Sequence, residues 1–402
     1  MQATSQRLLH LDVLRGFALL GILLVNFELF TRPVLANFVG LDAGLEGLDR
    51  AVDAGIFWLA EGKFYPLFAM LFGAGFALMM ERARETGRSF WPVYLRRTFA
   101  LALFGLAHIA LVWVGDILLL YSLCAFIVVL IFRNTPVQRQ WKWALFLIAL
   151  PILFMWLYAS FYAMAQQDPE VAEDFRAGIE ANREQVISLA DKAEQVHTEG
   201  SYGENVAHRL QEYRHLAGNT AFQWIPMVLG FFLLGRWLIQ SGRLRDIATH
   251  ETWLRRWRLW GLGLGLPISA VATWLLYGAD WLTPDMEVTL GTTLLIIGGV
   301  LLPLGYLAAV VLASNRLAFL APAGRMALTN YLMQSLVWIF VFYGYGLGLW
   351  QQIGHAWFPL LVVGFFGLQV LFSHWWLKHF HFGPAEWLWR TITYLKLQPM
   401  RR

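Results

Sequence analysis

Apolar runs of roughly bilayer-crossing length recur along the whole chain, and no soluble fold can bury so many of them. Spans are predicted at 14–30, 55–80, 98–114, 117–132, 143–164, 221–239, 259–277, 288–312, 327–347 and 357–377. At 1.5 Å per residue each covers, or nearly covers, about 30 Å of hydrocarbon. Of the 402 residues, 14% are charged and 58% hydrophobic, whereas a soluble domain carries about 25% charged residues. The expected fold class is an all-α polytopic membrane protein, a bundle of about 10 transmembrane helices. The single Cys124 lies inside an apolar run, which excludes an intrachain disulfide. The first run lacks a small-x-small cleavage site and reads as a span rather than a signal peptide.

Charge sorts the linkers into two sets. The even-numbered ones are basic, with Arg82, Arg84, Arg88, Arg96 and Arg97 in the second and Arg243, Arg245, Arg255, Arg256 and Arg258 in the sixth. The odd-numbered ones are not: the first holds Asp42, Glu46, Asp49 and Asp53, and the seventh and ninth carry no base. By the positive-inside rule both termini are predicted to be cytoplasmic, in a multi-pass membrane protein. The fifth linker is the one sizeable polar segment. Its "DPEVAEDFRAGIEANREQVISLADKAEQV" predicts a helix with a modest apolar face, N-capped by Asp168 ahead of a first-turn Pro169. The chain therefore divides into a first membrane half (1–164, spans 1–5), a helical extracytoplasmic insertion (165–218) and a second membrane half (219–402, spans 6–10). Basic residues are dispersed among membrane-flanking loops, so nucleic acid is not an expected partner.

Five segments, "RLLHLDVLRGFALLGILLVN", "EGKFYPLFAMLFGAGF", "RRTFALALFGLAHIALVWVGDILLLYS", "GRMALTNYLMQS" and "FGPAEWLWRTITY", together resemble the YeiB family of bacterial inner-membrane proteins. Because they lie near both ends and between, the resemblance covers essentially the whole chain. That family is in turn distantly similar, through the "LDxLRG" start of span 1, to the transmembrane acyltransferases, which include heparan-glucosaminide N-acetyltransferase and the sugar O-acyltransferases. The wider resemblance implies acyl transfer from cytoplasmic acyl-CoA or acetyl-CoA to an acceptor at or across the membrane. In the sugar enzymes a catalytic His typically follows the motif Arg by eleven residues. Here that position is Asn26, and no His occurs between Asn26 and His108.

Helix geometry offers a replacement. His108 follows Arg97 by eleven residues, as Asn26 follows Arg15, so both lie about 16 Å from the basic edge. Gln334, nine residues past Arg325, is about 14 Å deep by the same rise, and Asn330 shares its helix face. Ionisable groups at such depth are functional candidates, although a packing histidine and interhelical amide bonds are the alternative reading. His108 is the candidate base, with Asn26 or Gln334 as oxyanion donors. Asp12 and Arg15, one turn apart, read either as an ion pair with a topological anchor or as a donor site in which Arg15, Arg96 and Arg97 meet acyl-CoA phosphates. Eight residues of helix would separate Asp116 from His108 by about 12 Å. Asp116 is therefore expected at the outer mouth with Lys63, and with Asn330 completes the candidate substrate site. His374, His379 and His381 match no zinc spacing, so no metal is expected. "FGPAEWLWR" reads as a short amphipathic helix on the inner face, with Glu386 satisfying a neighbour.

Three functions remain open at this point. One is an acyltransferase acting on a small-molecule, lipid or glycan acceptor; another is a transporter or lipid flippase using the same polar layer; the third is a non-catalytic scaffold or receptor in which that layer is structural. Beyond membrane lipids, the sequence does not specify partners or oligomeric state.

Overall fold

The computed structural model describes residues 8–40, 44–87 and 89–402. Asp42 and Arg88, two of the charges used to sort the linkers, lie outside the described residues. Fourteen α-helices are found among those described: α1 Leu9–Thr31, α2 Gly47–Leu59, α3 Phe64–Glu85, α4 Phe90–Leu111, α5 Leu118–Ile127, α6 Val137–Ala165, α7 Pro169–Glu199, α8 Tyr202–Gln240, α9 Glu251–Leu276, α10 Met286–Leu312, α11 Ala321–Arg325, α12 Ala327–Phe342, α13 Phe358–His379 and α14 Pro384–Tyr394. Eight helical stretches are long and apolar enough to cross a membrane, and Leu118–Phe132 and Ala327–Phe342 are shorter apolar helices. These ten correspond to the ten predicted spans. The second is broken: α2 and α3 meet at residues 60–63, which puts Lys63 at the joint.

Large apolar side chains such as Phe99, Trp260, Trp274 and Leu368 are more than half exposed on the bundle's outside. A soluble protein rarely tolerates so much exposed apolar surface, and lipid is the solvent that does. Inside, α1 packs against α3, α10, α11, α12 and α13. Its crossing with α11 is possible because two glycines meet there. A Cβ on Gly324 would lie 1.9 Å from the Asp12 carbonyl oxygen, and one on Gly16 would lie 2.4 Å from that of Leu320.

At the other end of the bundle stand α7 and the first half of α8. As expected, the Asp168 side chain caps α7, accepting from the Glu170 N–H at 3.1 Å, with Pro169 in the first turn. A capping box from Ser201 and Glu204 starts α8. With 39 residues, α8 is about 58 Å long, far more than a bilayer requires. The insertion therefore runs into the sixth span without a break. It has a polar core: His197 shares a 2.8 Å hydrogen bond with Asn205 and stacks 4.1 Å from the Tyr343 ring. Arg183 of α7 pairs with Asp280 beyond α9. Burial pushes the His197 imidazole down to about 3, and burial pushes the Glu212 carboxyl up to about 7.

The Glu212 shift sets a pH dependence. A carboxyl held at about 7 when folded, against 4.5 when unfolded, binds more protons in the folded state between those values. Its stabilising contribution is thus present at low pH and is lost as pH rises through about 7. The Glu212→Gln variant, which cannot ionise, should gain thermal midpoint relative to wild type as pH rises from 4.5 to 7, with no further gain above. His197 is present in both proteins and cancels. Paired unfolding curves across this range provide the check.

Candidate functional site: a buried histidine–aspartate pair

Helix α4 stops at Leu111, and residues 112–117 reverse the chain before α5 begins at Leu118. The reversal overturns the spacing argument that kept Asp116 from His108. Asp116 does not join Lys63 at an outer mouth. Its Oδ2 lies 2.9 Å from His108 Nδ1, with both side chains fully buried. A helix continuing past residue 111 would have separated them, but the turn folds Asp116 back over the last turn of α4. Gly105 makes room, since a Cβ there would lie 2.5 Å from the Leu119 amide nitrogen and 2.8 Å from Asp116 Oδ1.

The turn is fixed from several sides. Asp116 Oδ1 accepts from the Leu119 N–H at 2.8 Å, at the start of α5. The insertion clamps the end of α4: Tyr202 donates to the Leu111 carbonyl at 2.7 Å and Arg209 to the Ala110 carbonyl at 3.0 Å. Tyr331 of α12 places its ring 5.3 Å from His108, and Trp113 closes another side at 6.4 Å. A carboxylate on Nδ1 selects the Nδ1–H tautomer, in which Nε2 carries the lone pair. His108 Nε2 is buried and has no hydrogen-bond partner.

The remaining predicted residues fall elsewhere. Asn330 Nδ2 donates to the Ala323 carbonyl at 3.1 Å and to Ser373 Oγ at 3.0 Å, and Gln334 Nε2 donates to Gln369 Oε1 at 2.9 Å. This amide network joins α12 to α13, while Tyr331 is the α12 residue that faces His108. Lys63 is buried and donates to the Phe57 carbonyl at 3.1 Å. Asn26 is half-buried on the α1 face that carries Arg15. Arg15 forms the expected 2.8 Å ion pair with Asp12.

Arg96 and Arg97 hold the C-terminal helix. Arg96 Nε donates to the Thr393 carbonyl at 3.0 Å, the Arg97 guanidinium lies 3.6 Å over the Trp389 ring, and Trp389 Nε1 donates to the Arg97 carbonyl at 2.8 Å. Docked in this way, α14 brings Arg390 into electrostatic range of Arg97, and Arg15 approaches from α1. Glu386 ties α14 to α12, accepting from the Leu328 N–H at 2.6 Å, the Thr329 N–H at 3.1 Å and the Thr329 hydroxyl at 2.6 Å. The segments "GRMALTNYLMQS" and "FGPAEWLWR" are therefore two halves of one contact. A cavity of about 650 Å³ lies apart from the pair, between α6, α7 and α8, lined by Tyr158, Phe175, Ile179 and His215 among others.

The fold and site define a multi-pass, all-α membrane protein with a carboxylate-oriented histidine buried under an insertion. Residues 238–396 match the family described as a protein of unknown function, DUF418. The chain is 36% identical to the uncharacterized protein YxaH of Bacillus subtilis, over 99% of this chain and 97% of that one. It is 30% identical to the uncharacterized protein YeiB of Escherichia coli, over 96% of each. The chain thus belongs to the YeiB-like family. No solved structure matches it.

Removing the Glu386 carboxylate strips the first turn of α12 of two acceptors and should cost about 1–3 kcal/mol. Thermal unfolding of Glu386→Ala in detergent should show this loss, with α14 becoming the first segment open to proteolysis.

Proposed function

We propose that the chain is an integral-membrane acyltransferase that uses cytoplasmic acyl-CoA as donor and a hydroxyl or amine as acceptor. One observation carries the reading: a fully buried His108 oriented by Asp116 through Nδ1, with Nε2 left unpartnered. The buried carboxylate on Nδ1 distinguishes His108 from His208, a buried histidine with neither ring nitrogen hydrogen-bonded. This arrangement suits a general base. Nε2 takes the acceptor's proton as its oxygen or nitrogen attacks the thioester carbon. Collapse of the tetrahedral intermediate breaks the carbon–sulfur bond, and the imidazolium returns the proton to the departing thiolate. Asp116 stabilises the imidazolium formed in between.

Donor binding falls to the basic end. Arg15 of α1 and Arg390 of α14 each lie within electrostatic range of Arg97 of α4. Like charges gathered at a bundle end attract an anion, and guanidinium forks suit phosphate. His108 sits eleven residues above Arg97, about 16 Å away, a gap that an extended pantetheine arm can cross. Asn26, on the Arg15 face of α1, is the available donor to the oxyanion. Arg96 is a positioning residue, because it acts by docking α14.

Acyl-CoA binding to detergent-purified protein provides the test, using acetyl-CoA and longer acyl chains. Saturable binding should weaken at least about ten-fold in Arg15→Ala, the loss of one charge-assisted phosphate contact, and persist in His108→Ala. Release of free CoA thiol should vanish in His108→Ala and fall by about 10²–10⁴-fold in Asp116→Asn, which loses the tautomer control. Absence of binding to any acyl-CoA, or full turnover without His108, would refute the reading.

A further inference from the structure

We infer that Glu28, Asp53 and His355 form a binding site for a divalent transition-metal ion at the insertion end of the bundle. The three come from separate segments: the last turn of α1, the middle of α2, and the short helical turn His355–Trp357 that leads into α13. One carboxylate oxygen from each acid and one imidazole nitrogen lie within 4.8 Å of one another. His355 Nδ1 is 3.7 Å from Asp53 Oδ1, beyond hydrogen-bond distance.

Burial without partners is the independent sign. Asp53 is 0% exposed and Glu28 6%. Both Asp53 oxygens, Glu28 Oε1 and His355 Nδ1 lack a hydrogen-bond donor, and the two carboxyls face each other. Leaving one such group unpaired costs several kcal/mol, and four together call for a bound species. Neighbouring cations do not supply it. Arg32 lies within electrostatic range of Glu28, and Lys63 within range of the neighbouring acid Glu61, but among the described residues neither Arg32 nor Lys63 comes within ion-pair distance of Glu28 or Asp53. Lys63 is directed to the Phe57 carbonyl instead.

The donor set narrows the ion. Two carboxylates and one imidazole match zinc, manganese or cobalt, whereas magnesium and calcium prefer all-oxygen shells. The ligands are also held in place. Asp49 Oδ1 accepts from the Ala356 N–H at 2.6 Å, clamping α2 onto the turn that carries His355. The His355 ring stacks 4.5 Å from Phe358, which fixes its plane. No spacing in the sequence could reveal the trio, because its members are separated by 25 and 302 residues. None of them touches His108 or Asp116, so the inference stands apart from acyl transfer.

The probe is Co²⁺ alone, titrated into metal-stripped full-length protein in detergent, with Zn²⁺ in parallel. About one equivalent should bind, giving ligand-field absorption and a higher thermal midpoint that a chelator reverses. Asp53→Asn and His355→Gln should each weaken binding at least about ten-fold. His355 is the least buried of the three, so His355→Gln remains informative if Asp53→Asn fails to fold. Three outcomes would overturn the inference: no stoichiometric binding of either ion, binding that His355→Gln leaves unchanged, or a chelator-insensitive midpoint that rises in Asp53→Asn. The last would identify a proton shared between Glu28 and Asp53.

Discussion

In an apolar bundle surrounded by lipid, a polar group without a partner costs several kcal/mol, and water is not at hand to repair the loss. Helices settle the backbone, so the constraint falls on side chains and helix ends. Asn330, Gln334, Gln369 and Ser373 satisfy much of their need mutually and in doing so fasten α12 to α13. Glu386 supplies acceptors to the first turn of α12. Unpartnered buried side-chain atoms are scattered through the bundle, and His108 Nε2 and the acids and imidazole around Asp53 are among them. Stability alone does not favour such groups.

Helix α14 shows how a peripheral element can hold a site together. It contacts α4 through Arg96, Arg97 and Trp389, and α12 through Glu386 and Thr329. Those two helices carry His108 and Tyr331, which face each other. The same helix brings Arg390 within electrostatic range of Arg97. A displacement of α14 would therefore disturb the guanidinium cluster directly and the spacing of α4 and α12 indirectly.

The spans were legible because a helix in lipid must be apolar for its full length, and periodic composition records that demand. The cap at Asp168 was equally legible, since a capping side chain and a first-turn proline act within one turn. Local signals failed where the chain stopped obeying the helix rise. Asp116 was placed by extrapolating α4 through "HIALVWVGD", but the helix ends three residues after His108 and the distance collapses. Gly105 and Gly115, flanking His108 and preceding Asp116, were the available hints of a tight reversal. Arg96 and Arg97 were legible as cations but not as the dock for α14, because cation–π stacking on Trp389 joins residues 292 positions apart. The helix rise puts Asn330 and Gln334 near one depth. Depth leaves the direction around the helix undetermined, and their partners are on α13.

Between the histidine pair and the Glu28–Asp53–His355 group lies an aromatic wall. Phe27 packs edge-on against Trp338, Phe342 and Phe358, and Phe30 against Trp113. Trp113 in turn faces His108, and Phe358 faces His355. Two rings of one helix, α1, thus lead to the two sites, Phe30 through Trp113 to His108 and Phe27 through Phe358 to His355. Such a wall keeps the local dielectric low, which strengthens the contact between His108 and Asp116.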